Sequence, residues 1–119
     1  VGPIKPSSES MTHGMVYLCD PSVQFVIHVH DPTIWKYAKE LELPVTKKDI
    51  PYGTPQMSAE VQRLFQETDV KDKKIFSMDG HVDGVIAFGS ELSSVVTLLQ
   101  ETLAESIELK YQKQMDSSE

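Results

Sequence analysis

The chain has 119 residues and a net charge of -7, the size of one domain with a hydrophobic core. Its eleven lysines and arginines are scattered without a basic stripe, so we expect no nucleic-acid partner. No apolar run approaches the roughly 20 residues that cross a bilayer, and no signal-peptide pattern is present, so we expect no membrane partner and a cytoplasmic location. Cys19 is the only cysteine, which excludes an intrachain disulfide and a zinc site built from thiolates.

The first predicted element is a helix. Pro3 and Pro6 hold the first residues extended, and the serines that follow offer N-caps for a helix that ends near Leu18. Asp20-Pro21-Ser22 then predicts a turn, so we expect the next element to start soon after Ser22.

The next segment, 23–30, is rich in β-branched and aromatic residues and predicts a strand. It ends in His28 and His30, whose side chains share one face because alternate residues of a strand do so. Asp31 can cap a helix that follows directly, with Pro32 at its first position. The histidines are therefore predicted at the carboxyl end of the strand, where open α/β sheets usually carry their sites.

An irregular segment separates this strand from the next helix. Segment 43–54 is punctuated by proline and glycine and is long enough for an active-site loop. Ser58 is then expected to cap a helix that ends near Glu67. Two short strands, 74–78 and 82–88, follow as apolar runs.

The longest predicted helix begins after Ser90 and gives way to a polar tail, 112–119, which we expect to fray. Its apolar residues recur at intervals of three and four, which indicates a helix face in the core or at a subunit interface. They are Leu92, Val96, Leu99, Leu103 and Ile107. The order of elements predicts a single layered α/β domain over residues 1–119.

Four residues are candidates for chemistry. His28 and His30 either chelate one cation together or are ordinary polar residues where a strand meets solvent. His81, between two apolar strands, is either a turn residue or a third ligand, and three neutral imidazoles leave a position open for water or substrate. Glu9, at the start of the first helix, is either stabilised by the helix dipole or moves protons at the site.

Several motifs in a fixed order resemble the central signature of the class II aldolase and adducin family. They are Lys5-Pro6-Ser7-Ser8-Glu9, His13, Asp20-Pro21, His28-Val29-His30, Ile50-Pro51-Tyr52-Gly53-Thr54, Gly80-His81 and Phe88-Gly89. The match runs from about Gly2 to Leu109. One motif departs from the family, since glycine precedes His81 where the family generally places it after the histidine.

This resemblance implies a layered α/β/α sandwich that covers the C-terminal two-thirds of the family's domain, lacking its N-terminal segment. It implies that His28, His30 and His81 bind Zn²⁺ or another divalent metal, with Glu9 as the catalytic acid/base. The implied activity is an aldolase-type lyase reaction on a small hydroxy-carbonyl compound or sugar phosphate, through a metal-stabilised enediolate.

Other functions stay open. Within the family, a 4-epimerase or a dehydratase shares the three-histidine platform. A second hypothesis, from another class of function, is a non-catalytic adducin-like assembly or binding module. A third, based on fold analogy alone, is a plain ligand-binding domain. A homo-oligomer is expected because the missing segment exposes a sheet edge and apolar surface, and the last helix is one candidate surface.

Overall fold

A computed structural model describes the backbone of residues 8–50, 55–80 and 83–117, with side chains from Gly14 to Met115 within those ranges. These residues form helices and strands in a mixed α/β order. In chain order they are α1 (Ser8–Cys19), β1 (Phe25–His30), α2 (Pro32–Lys36), β2 (Val45–Thr46), α3 (Pro55–Glu67), α4 (Val70–Lys73), β3 (Ile75–Met78), β4 (Gly84–Gly89) and α5 (Leu92–Ser117).

The four strands form one mixed sheet in the order β1-β4-β3-β2. β4 lies antiparallel to both β1 and β3, whereas β2 lies parallel to β3. Along β1, His28 is opposite Ile86 and His30 is opposite Gly84. Among the described strands, β1 is therefore an edge strand, and its last residue meets the first residue of β4.

Different helices cover the two faces of this sheet. Ile86 and Phe88 of β4 pack in a buried cluster with residues of α1 and α3. Val85 and Ala87 point to the other face and pack with residues of α2 and α5. The strand alternation therefore supports two separate apolar layers, and the predicted α/β/α sandwich is confirmed.

α2 begins where the sequence predicts. The Asp31 carboxylate accepts hydrogen bonds from the backbone N–H groups of Thr33, at 3.0 Å, and Ile34, at 2.9 Å. Pro32 occupies the start of the helix, where its missing N–H leaves no helical hydrogen bond unmade. This cap turns the chain directly after the histidine pair, so it fixes the end of β1.

Two element boundaries differ from the prediction. α3 starts at Pro55 instead of near Ser58, because proline is well suited to the first position of a helix. The segment predicted to be irregular contains β2, which has only two residues and pairs with β3. Its neighbour Pro44 accepts a hydrogen bond from the Ser77 N–H at 3.0 Å, so this strand depends on a distant part of the chain.

α5 continues to Ser117, past the position at which the sequence predicts a polar tail. The Lys113 ammonium lies 2.8 Å from the Glu40 carboxylate and 5.2 Å from the centre of the Tyr37 ring. These contacts hold the late turns of α5 beside the residues that follow α2, and no local sequence pattern predicts them.

Candidate metal centre

His28 and His30 lie side by side on the face of the sheet that α1 and α3 cover. They share this face with Val26, which packs against the cluster formed with those helices. The centroids of the two rings are 4.9 Å apart and the ring planes are tilted by 37°. Nε2 of His28 is buried, whereas the His30 side chain is exposed.

The separation of the two rings is compatible with a shared cation. Two imidazoles that bind one tetrahedral zinc at Zn–N distances of about 2.0–2.1 Å have ring centroids roughly 5 Å apart. The observed 4.9 Å between His28 and His30 matches this value. The donor set present is therefore suitable for Zn²⁺ or another ion that prefers imidazole.

The connection between β3 and β4 reaches the same end of the sheet. The Asp31 N–H donates to the Asp83 carbonyl at 2.8 Å, which extends the pairing of His30 with Gly84 by one residue. Asp83 has a φ of 65°, a left-handed conformation that aspartate tolerates better than most residues. The C-terminal side of this connection is thus fixed next to the histidine pair.

The other side of the connection is fixed by two contacts. The Trp35 indole N–H donates to the Met78 carbonyl at 2.8 Å, which joins α2 to the end of β3. Gly80 packs directly on backbone, since an added Cβ would overlap the Ile50 carbonyl oxygen and lie 2.8 Å from that of Lys48. Only glycine allows the segment before residues 51–54 to approach the connection so closely.

The remaining predicted site residues fall outside the described side chains. His81 follows Gly80 in the sequence and is not among the described residues. Glu9 lies in α1, but its side chain is not among those described. Within residues 14–50, 55–80 and 83–115, no three histidine, cysteine, aspartate or glutamate side chains gather to hold a metal. The structure therefore brings His28 and His30 together, and the roles of His81 and Glu9 stay predictions.

A buried glutamate supports the segment that contacts Gly80, and the sequence analysis missed it. Glu60 of α3 is 4% exposed, accepts from the Lys47 N–H at 2.9 Å and binds Arg63 through both carboxylate oxygens, at 2.7 and 2.9 Å. The hydrogen bond from Arg63 is the main cause that lowers the pKa of Glu60. The spacing of Glu60 and Arg63 in the sequence predicts an ion pair within a helix. It does not predict burial, because such helical pairs usually lie on the surface.

The predicted turn at Asp20 is present and fixes the start of β1. Oδ1 of Asp20 accepts hydrogen bonds from the N–H of Ser22, at 3.1 Å, and from its hydroxyl, at 2.6 Å. The bond from the hydroxyl is the main cause that lowers the pKa of Asp20. Local hydrogen bonds therefore stabilise the turn between α1 and the histidine-bearing strand.

A His-x-His pair at the carboxyl end of β1 makes this α/β/α domain a candidate metal-binding domain of the α/β class. The chain belongs to the class II aldolase and adducin N-terminal domain family, whose sequence profile matches residues 1–111. The resemblance drawn from the sequence motifs is thus confirmed. No match was found among curated proteins. None of the helices in the described residues combines the length and apolar character needed to span a membrane.

Proposed function

We propose that the chain is a divalent-metal-dependent, aldolase-type lyase domain that acts on a small hydroxy-carbonyl compound or a sugar phosphate. The observation that carries the proposal is the 4.9 Å separation of the His28 and His30 rings at the carboxyl end of β1. Membership in a family that includes class II aldolases supports it. A 4-epimerase or dehydratase reaction could use the same residues.

In this proposal His28, His30 and His81 hold the metal, with Zn²⁺ as the first candidate. The sequence supports the third ligand, because His81 is two residues before Asp83. Asp83 in turn is hydrogen-bonded to Asp31, the residue after His30. His81 thus belongs to the connection whose residue Asp83 is hydrogen-bonded directly after His30.

When bound, the divalent ion supplies a Lewis acid with one open position, which polarises a substrate carbonyl and stabilises the negative charge that develops. Glu9 is the proposed acid/base that moves the proton. α1 lies on the same face of the sheet as the histidines, since Val16 of α1 is in the cluster against which Val26 packs.

The lengths of α1 and β1 also suit this role for Glu9. α1 has 12 residues, or about 18 Å, and β1 has six residues, or roughly 20 Å. Because a short turn at Asp20 joins them, α1 can return along the sheet and carry its first turn towards the carboxyl end of β1. Glu9 lies in that first turn.

Proton exchange tests the proposal without knowledge of the substrate. Zinc-loaded protein is incubated in D₂O with phosphorylated and unphosphorylated three-carbon hydroxyketones, and loss of the proton beside the carbonyl is followed by NMR. We expect exchange with wild type and a loss of at least about 10²-fold with Glu9→Gln, while metal content stays unchanged. Exchange that is equal in the variant excludes Glu9 as the acid/base.

An assembly role without catalysis is the second candidate, favoured by the exposed apolar residues of α5. A protein that binds no metal after reconstitution and catalyses no exchange supports this alternative. We also propose that the chain self-associates, and a cytoplasmic location stays a prediction.

A further inference from the structure

A cleft between α2 and α5 brings together lysines that are far apart in the sequence. Its volume of about 330 Å³ lies at the lower end of the range for small-molecule sites. The residues that line it are Lys36, Tyr37, Glu40, Lys110, Lys113 and Gln114. We call it the lysine cleft, because its lysines place three positive charges in one small area of a chain whose net charge is -7.

The lysine cleft is separate from the candidate metal centre. α2 and α5 pack with Val85 and Ala87 on one face of the sheet. His28 and His30 lie on the opposite face, which α1 and α3 cover. The two sites therefore use different residues and different faces of the sheet.

The ring of Tyr37 holds two of the lysines in place. The ammonium groups of Lys36 and Lys113 lie 5.6 Å and 5.2 Å from its centroid, within the range of cation–π attraction. Tyr37 itself is only 6% exposed, so packing in the fold fixes the ring. The two positive charges therefore share one rigid support.

A carboxylate of the chain itself already binds one of these lysines. Nζ of Lys113 donates a hydrogen bond to the Glu40 carboxylate at 2.8 Å, which shows how this ammonium group holds an anionic oxygen. Within the described part of the chain, neither Lys36 nor Lys110 forms an ion pair. An anion that displaces Glu40 therefore meets three lysine charges, of which two are not yet neutralised.

We propose that the lysine cleft binds a small molecule with two or more linked phosphate groups, which displaces Glu40 from Lys113. Lysine binds phosphate oxygens as a point charge, and several such charges in one cleft complement a ligand with several anionic groups. A ligand with a single anionic group only exchanges its charge for that of Glu40. The proposal does not depend on the metal chemistry.

The surroundings of the cleft favour a compact ligand. Glu40 also lines a neighbouring cleft, together with Glu42, Glu105 and Glu108. An acidic peptide or a nucleic acid that extends past the lysine cleft meets these carboxylates, whereas a short polyphosphate does not. The net charge of -7 repels any anion at long range, but physiological salt screens this repulsion beyond about 8 Å.

Calorimetric titration of the whole metal-free chain with tripolyphosphate at physiological salt tests the site. We expect one saturable site, weakened about fivefold by Lys36→Gln and by Lys110→Gln, since each removes one exposed ion pair with the ligand. Lys48→Gln removes an exposed charge outside the cleft and is the matched control, with unchanged affinity. If Lys48→Gln weakens binding as much as Lys36→Gln, the attraction is to charge in general and the site is overturned.

The displacement of Glu40 has its own test. Glu40→Gln should strengthen tripolyphosphate binding by a similar factor of about five, because it releases Lys113 from its carboxylate partner. Glu108→Gln, in the neighbouring cleft, makes the same change in net charge and should leave the affinity unchanged. Equal effects of the two substitutions overturn the displacement.

A comparison of probes tests the class of ligand. We expect inorganic phosphate to bind at least about tenfold more weakly than tripolyphosphate, since linked groups bind together, and a hexaglutamate peptide to show no saturable binding. Binding of the peptide with the affinity of tripolyphosphate assigns the cleft to an acidic protein partner and overturns the phosphate ligand. Absence of saturable tripolyphosphate binding in both wild type and Glu40→Gln overturns the site.

Discussion

The indole N–H of Trp35 donates to the backbone carbonyl of Met78 across 2.8 Å. Trp35 belongs to the short helix that follows His30, and Met78 is the last residue of β3, where the connection containing His81 begins. The Trp35 side chain therefore links two parts of the candidate site. One is the end of β1, which carries the histidine pair, and the other is the connection that contains His81, the third candidate ligand.

Removing this hydrogen bond should cost both stability and metal affinity. Trp35→Phe keeps an aromatic ring but leaves the Met78 carbonyl without its indole donor, so we expect a loss of about 0.5–1.5 kcal/mol in the free energy of unfolding. Urea denaturation of metal-free protein measures it, and zinc titration should show weaker binding. Tyr17→Phe is the control, because the Tyr17 hydroxyl bonds a carbonyl at 3.3 Å on the surface. A variant with wild-type stability and zinc affinity would remove Trp35 from this role.

The contact of Gly80 with backbone makes it sensitive to a single methyl group. Gly80→Ala places Cβ against the Ile50 and Lys48 carbonyls, and we expect a loss of about 1–3 kcal/mol. Gly14→Ala, at a helical position with no atom within 4 Å of the added Cβ, should instead stabilise by about 0.5–1 kcal/mol. Chemical denaturation compares the two, and equal effects of the two substitutions would contradict the close approach at Gly80.

Substitutions of the helix cap at Asp31 should lower stability by different amounts. Asp31→Ala removes the acceptor for the Thr33 and Ile34 N–H groups and should destabilise the fold by about 1 kcal/mol, whereas Asp31→Asn should retain most of the stability. Asp49→Ala, at an exposed position, is the control. Equal melting temperatures for the alanine and asparagine variants at position 31 would show that the cap does not stabilise the fold.

Acid stability should depend on Glu60. Its pKa in the folded chain is lowered, mainly by the hydrogen bond from Arg63, below the unfolded value of about 4.3. The unfolded chain therefore takes up protons first, and the stabilisation present above pH 4.3 is lost as the pH falls through the folded pKa. Glu60→Gln should flatten the fall in unfolding free energy below that pH.

Glu67→Gln is the control for this pH series, because the Glu67 side chain is 62% exposed and contacts the same arginine only at 3.4 Å. Its stability should follow the wild-type curve as the pH falls. A parallel loss of pH dependence in both variants would assign the effect to general charge instead of the buried pair.

Local signals were sufficient for the elements around the histidine pair. The turn at Asp20, the alternation in β1 and the cap at Asp31 each depend on residues within a few positions, and all three are present. By contrast, β2 exists only through its pairing with β3. The late turns of α5 rest on Lys113 and Glu40, which are far apart in sequence.

The candidate site also combines features that local sequence predicts with features that depend on long-range contacts. The spacing of His28 and His30 predicts adjacent rings, and they are adjacent. Trp35 lies in the helix predicted after Asp31, and a partly buried indole N–H needs an acceptor that the sequence does not identify. Its partner Met78 and the backbone against Gly80 are set by the sheet order, which a sequence pattern does not contain.

Zinc stoichiometry is the most direct test of the proposed centre. Metal-free protein is titrated with Zn²⁺ and the bound metal is measured for wild type, His28→Ala, His30→Ala and His81→Ala, with His13→Ala as the matched control. We expect one zinc per chain for wild type and His13→Ala, and an affinity at least about tenfold lower for each of the other three. Zinc binding unchanged by His28→Ala and His30→Ala would contradict a metal centre at the end of β1.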